Sequence, residues 1–232
     1  MKDNNRMKYV DLLIKYTFLL LCCGLSTPIS AATETSLPAV TLPAPDPLGQ
    51  HLYDQHPWSL MYYYGQTVNG AFVGTAVGNF KHWPEHIQSL EFAYTLNQDN
   101  FLRHLVSPLC GVVQFATNGT IRQGDNEPVI YELDPYLIFR WANWPWNHYV
   151  TTSFGFAEGI SYVTSVPYIE KRNNTNVRRL LNYLMYEITL SPPSHPEWQA
   201  VFRVHHRSGA YGLYHADNTG SNDIGLGIRY LF

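Results

Sequence analysis

Charge is scarce in this chain, and no stretch of it is strongly basic. Lys and Arg number 15, Asp and Glu 18, and charged residues make up 14% of the whole, for a formal net charge of -3. Without a basic stripe, nucleic acid is not expected as a partner. Cysteine is equally thin: Cys22 and Cys23 sit in the N-terminal segment and Cys110 stands alone after it. Once that segment is gone no intrachain disulfide is possible. Beyond it, no run reaches 18 uninterrupted apolar residues, which excludes a helical membrane span. The mature chain must therefore be held by packing and backbone pairing. No cofactor motif stands out. His205 and His215 do not fall at a metal-ligand spacing, so neither a cofactor nor a metal is expected.

What is present begins with an export signal. Lys2, Arg6, Lys8 and Lys15 precede the apolar run Tyr16 to Leu25, and small residues follow at Ser30, Ala31 and Ala32. This predicts a cleaved signal over 1–32. Leu19, Leu20 and Leu21 leave no small residue before the cysteines, which argues against a lipoprotein site. Residues 33–57 carry Pro38, Pro43, Pro45, Pro47 and Pro57 and read as an extended periplasmic leader. The remainder, 58–232, is expected to form one domain. Aromatics reach 15%, with 17 Tyr and 6 Trp, as suits side chains placed at a membrane–water interface.

The most telling segment is the last. Ile224, Leu226, Ile228, Tyr230 and Phe232 alternate with Asp223, Gly225, Gly227 and Arg229. Strand side chains alternate across a sheet, so one face here is greasy and the other small or polar. An apolar face ending in an aromatic C-terminus fits the lipid-facing closing strand of an outer-membrane barrel. Similar runs start near Trp58, Leu90, Leu109, Val129, Val150, Leu180 and Trp198, making eight with the last. Turn clusters are read at Asn118-Gly119, Gly124-Asp125-Asn126, Asn173-Asn174 and Ser191 to Ser194. The expected fold is all-β, an eight-stranded antiparallel up-and-down transmembrane barrel in the bacterial outer membrane. Glu187, Arg203 and Arg229 take the inward parity, which predicts an ion-paired plug and not a pore.

On the penultimate run, Trp198, Ala200, Phe202 and Val204 form the greasy face, and the same parity continues to His206 and Ser208. Side chains at i and i+2 lie about 7 Å apart, within reach of an imidazole that takes a hydroxyl proton. This strand should end outside the cell, level with the lipopolysaccharide leaflet. His205 and Arg207 take the opposite parity and should line the barrel mouth.

His206-x-Ser208 before an aromatic closing strand resembles the PagL-type lipid A 3-O-deacylases and the related acyloxyacyl hydrolase-like barrels. So do Gly159 to Tyr162, Val166 to Glu170, His205 to Gly209, Gly220 to Asn222 and Gly225 to Tyr230. The resemblance implies an eight-stranded barrel whose Ser208 attacks an acyl ester of lipid A, with His206 as base and no metal. The family's acid is a Glu at the start of the closing strand, where this chain reads Gly220-Ser221-Asn222-Asp223. Asn222 holds the matching parity, and Asp217 and Asp223 are alternative acids. A carboxamide can orient an imidazole but cannot stabilise imidazolium as a carboxylate does. Arg207, if turned outward, would contact a lipid phosphate. Backbone N–H groups near Gly209 are candidate oxyanion donors.

The expected partners are lipopolysaccharide, the outer membrane, the barrel-assembly machinery through the Phe232 end, and a second copy in a homodimer. Two rival readings stand beside the esterase. One is a non-catalytic surface or lipid-binding barrel with an incomplete triad. The other is a secreted soluble barrel with its greasy residues turned inward.

Overall fold

The computed structural model describes residues 48–125, 127–216 and 219–232; the segment predicted as an export signal and most of the predicted leader lie outside them. Eight strands run β1 (Trp58–Asn69), β2 (Lys81–Thr95), β3 (Val112–Gly124), β4 (Ile130–Trp141), β5 (Thr151–Val163), β6 (Leu180–Ser191), β7 (Trp198–Ser208) and β8 (Gly220–Leu231). Each pairs antiparallel with its sequence neighbours, and β8 closes on β1 through pairs such as Ser59 with Leu231 and Val68 with Asn222. Closure satisfies every strand edge, the condition for crossing hydrocarbon with β structure. The eight runs read from sequence are these eight strands.

Parity decides what each wall faces. On β1, Trp58, Leu60, Tyr62 and Tyr64 are exposed, whereas Met61 and Tyr63 are buried. On β4, Tyr131, Leu133 and Trp141 face out, while Glu132, Asp134, Tyr136 and Arg140 are buried. Charge is thus inside and hydrocarbon outside, the inverse of a soluble barrel. That distribution overturns the reading of a secreted barrel with apolar residues inward. Aromatic rings gather on the outer wall near the termini: Trp58 stacks on Phe92 at 5.1 Å, and Trp198 lies 4.6 Å from Tyr230. Phe232 completes the seam, its backbone exchanging hydrogen bonds with Trp58 at 2.9 and 3.0 Å.

The lumen is filled by side chains, as expected. Glu187 lies between three guanidinium groups, at 2.7 Å from Arg140, 2.5 Å from Arg203 and 2.7 Å from Arg229. Glu91 bridges the last two at 2.5 and 3.0 Å. Tyr136 and Tyr183 stack 4.5 Å apart beyond this cluster. Towards the opposite end from the termini, Arg122 pairs with Glu85 at 2.7 Å, Asp223 at 2.9 Å and Glu132 at 3.1 Å.

Two expectations need correction. The leader does not stay extended up to residue 57: Gln50–Gln55 form a short helix, α1. Its Leu52 and Tyr53 pack with Val112, Ala142 and Leu231 and close the terminal end of the lumen. Arg103, in a helix α2 over Phe101–Val106, holds Asp54 at 2.5 Å. Burial of two large side chains outweighs the extended preference of the nearby prolines. Asn118-Gly119 is no turn but the middle of β3. Asn118 points inward and donates to Asp134 at 3.1 Å, so a lumen partner satisfies the side chain that would otherwise cap a turn.

Glu187→Ala would leave three buried guanidinium groups short of a partner. It is expected to destabilise the barrel by about 3–5 kcal/mol in urea titrations in detergent, and a loss near zero would contradict the plug described above. Cys110 is 4% exposed, and burial pushes its thiol above the usual range. Iodoacetamide at mildly alkaline pH should therefore modify it slowly in the folded barrel and rapidly after unfolding.

Candidate functional site

β7 carries the site because it changes character along one face. The outward side runs from Trp198 and Phe202, both exposed and apolar, to His206 and Ser208, both half-buried. β7 starts at the end that holds Trp58 and Phe232, so these two residues lie at the opposite rim. In sheet register His206 faces Asn222 of β8 on one side and Leu184 of β6 on the other. Ser208 faces Gly220 and Asn182.

His206 Nδ1 lies 3.0 Å from the carbonyl oxygen of Ser221. A carbonyl only accepts, so Nδ1 carries the proton and Nε2 keeps its lone pair. The ring also stacks on Phe72, at 4.5 Å and 17°. Phe72 opens a short helix (Phe72–Ala76) in the connection from β1 to β2. Thus a base-competent imidazole is fixed from two sides. Ser208 Oγ accepts the Ala210 N–H at 3.1 Å, and no hydrogen bond to His206 is found among the described residues. Gly209 N–H is used by the Thr219 carbonyl at 2.8 Å, so Ala210 supplies the amide nearest the hydroxyl. Ala210 and Tyr211 have φ of 46° and 54°, left-handed values that cost non-glycine residues energy. The chain just past Ser208 is therefore held in a strained turn.

The other predicted site residues divide. Asn222 is buried beside His206, but its Nδ2 donates to the Gly70 carbonyl at 2.7 Å. Asp223 turns into the lumen and pairs with Arg122 at 2.9 Å, so alternation removes it as an acid for His206. Arg207 is fully buried and pairs with Glu170 at 2.9 Å, which places its guanidinium in the lumen and away from any lipid phosphate. Asp217 lies outside the described residues.

The structure adds residues that the sequence reading passed over. Glu158 sits on the exposed face of β5, level with Leu184 and, through it, with His206 and Asn222. Asn182 also points outward, yet it is only 7% exposed because Tyr214 covers it with a 3.3 Å hydrogen bond. Burial and then the charge of Glu158 raise the phenol of Tyr214 above its ordinary value. Glu158, Asn182, Ser208, His206 and Asn222 form a polar patch across four strands at this rim of the outer wall. The signal was available: Glu158 follows Phe154 and Phe156 at the same parity.

A closed eight-stranded barrel, apolar outside and ion-paired inside, is a transmembrane barrel of the bacterial outer-membrane type. No family model matches this chain, and no curated protein matches it. Among solved structures it is similar to the outer membrane enzyme PagL, at 11% identity and a TM-score of 0.46, over 75% of this chain and 99% of that one. It is also similar to Neisserial surface protein A, at 10% and 0.44, over 75% and 97%. Ail, the attachment invasion locus protein of Yersinia pestis, follows at 16% and 0.36, over 76% and 99%. Likenesses this low say nothing about chemistry, and the class rests on the strand pairing and the exterior.

A Cβ on Gly220 would stand 2.2 Å from the Arg207 carbonyl oxygen and 3.3 Å from His206 Cε1. Gly220→Ala should force β7 and β8 apart at this rung, costing about 1–3 kcal/mol in urea titrations, and should shift the His206 imidazole resonances. Unchanged stability and resonances would show that the rung tolerates a side chain.

Proposed function

We propose that the chain is an outer-membrane serine esterase that removes an ester-linked acyl chain from lipid A of lipopolysaccharide. The observation that carries this reading is the lipid-facing pair His206 and Ser208 on one strand, with the imidazole Nδ1 held by the Ser221 carbonyl at 3.0 Å. Outer-membrane barrels keep their termini in the periplasm, so this rim meets the outer leaflet. Ser208 Oγ attacks the ester carbonyl as His206 accepts its proton. His206 then returns the proton to the departing sugar oxygen, and water releases the acyl group by the same steps in reverse. The Ala210 N–H moves from the hydroxyl to the developing oxyanion. Asn222 lines the imidazole without charge, so imidazolium forms with less support than a carboxylate gives. The acyl chain lies along the apolar wall, and Asn182 and Glu158 offer polar contacts for the sugar or its amides. Delivery by the barrel-assembly machinery through Phe232, and pairing of two copies, belong to the same reading.

One observation favours a non-catalytic barrel instead. Ser208 Oγ accepts from Ala210, and His206 Nδ1 lies on the Ser221 carbonyl and not on Asn222, so no completed triad stands at rest. Mass spectrometry of lipid A from cells expressing the chain separates the two readings. Wild type should remove one hydroxyacyl chain, and Ser208→Ala or His206→Ala should lower the rate by at least about 1,000-fold. Identical lipid A from wild type and both variants, with all three folded in the membrane, would leave the non-catalytic barrel.

A further inference from the structure

The lumen near the site rim carries more acid than base. Five buried carboxylates lie there: Glu85, Glu132, Asp134, Glu170 and Asp223. Among the described residues their guanidinium partners are Arg122 and Arg207 alone, with His205 also on Glu132. Five carboxyl groups thus share two guanidinium groups and one imidazole. Desolvated charge without a counter-charge is costly, by several kcal/mol per ion. The cluster around Glu187 shows the opposite balance, with Arg140, Arg203 and Arg229 against Glu91 and Glu187.

The surplus has a focus. Glu132, Asp134 and His205 each offer one ligand atom, all within 4.8 Å of one another. All three come from rigid strand positions, two on β4 and one on β7. Glu132 Oε1 lies 2.8 Å from His205 Nε2. Asp134 makes no salt bridge among the described residues; its Oδ2 accepts from Asn118 Nδ2 at 3.1 Å, and its carboxyl group lies close to Ser161 and Glu132. Asp134 Oδ1, His205 Nδ1 and Asn118 Oδ1 are all buried without a hydrogen-bond partner. Buried acceptors of this kind ordinarily find a donor or an ion. A backbone-fixed trio of one imidazole and two carboxylates, with a carboxamide oxygen next to it, is the donor set of a first-row divalent cation.

We propose that Glu132, Asp134 and His205 bind one divalent transition-metal ion inside the barrel, which offsets the excess of acidic groups and ties β4 to β7. The site is inside the wall, and the proposed ester chemistry is outside it. His206, the neighbour of His205, faces the other way, so neither activity depends on the other's residues.

The test uses the full mature chain, folded in detergent, stripped with EDTA and checked for barrel formation by heat-modifiable gel migration. Zn²⁺ is the probe. Wild type should retain one equivalent through gel filtration. X-ray absorption should show nitrogen and oxygen ligands with a single imidazole. Asp134→Asn and His205→Gln should each weaken binding at least 10-fold while the barrel stays folded, because each keeps the volume of the original side chain. No stoichiometric retention by folded wild type would overturn the proposal and leave the surplus to bound protons. Retention undiminished in both variants, or a spectrum with several imidazoles, would also overturn it and assign the metal to surface histidines. The wild-type spectrum decides the matter even if a variant fails to fold.

Discussion

Glu187 and its three guanidinium partners are what the rest of the barrel depends on. Between its rims, an eight-stranded wall facing hydrocarbon places charge in the lumen, and a lumen so narrow favours charge that is paired. The carboxylate of β6 reaches Arg140 of β4, Arg203 of β7 and Arg229 of β8, so one group links strands across the interior. That network locks register as well as closure. A slip of one residue on any of these strands would turn a charged side chain to the lipid and an apolar one to the lumen. The outward parity of His206 and Ser208 follows from the inward parity of Arg203 on the same strand.

The outer wall then becomes a surface on which chemistry is conspicuous. Polar side chains are disfavoured there except near the rims, where headgroups and water begin. The patch from Glu158 to Asn222 sits at such a rim and is partly roofed by Phe72 and Tyr214. An imidazole in this position is shielded enough to hold one tautomer and still open towards the bilayer. The strained turn after Ser208 places the Ala210 amide on the hydroxyl, an arrangement that can serve a nucleophile or merely cap a strand. The lumen behind this wall has a separate electrostatic life, with its surplus of acid around Asp134.

Much of the architecture was legible because a strand writes its environment with period two. The alternation in β8 and β7 identified the lipid face, and the inward charges identified the plug. The same logic extended to Phe154 and Phe156 would have flagged Glu158, so that omission was one of reading and not of information. Asn118-Gly119 misled because its local turn preference is real, and only pairing with β4, where Asp134 stands opposite Asn118, overrides it. The helix Gln50–Gln55 was hidden for a similar reason: its two large side chains find their partners on β3, after β4 and on β8.

By itself the sequence determined the class of fold, the number of strands and which side chains meet lipid, since these depend on composition and alternation along a single chain. The tertiary structure alone decided which groups touch. It took Arg207 and Asp223 inward to partners on other elements, placed Phe72 over His206, set Asn222 on Gly70, and gathered more carboxylates than arginines in one part of the lumen. Those outcomes depend on register between strands far apart in sequence and on loops folding back over the rim. No period in the chain encodes them, because each is fixed by closure of the barrel.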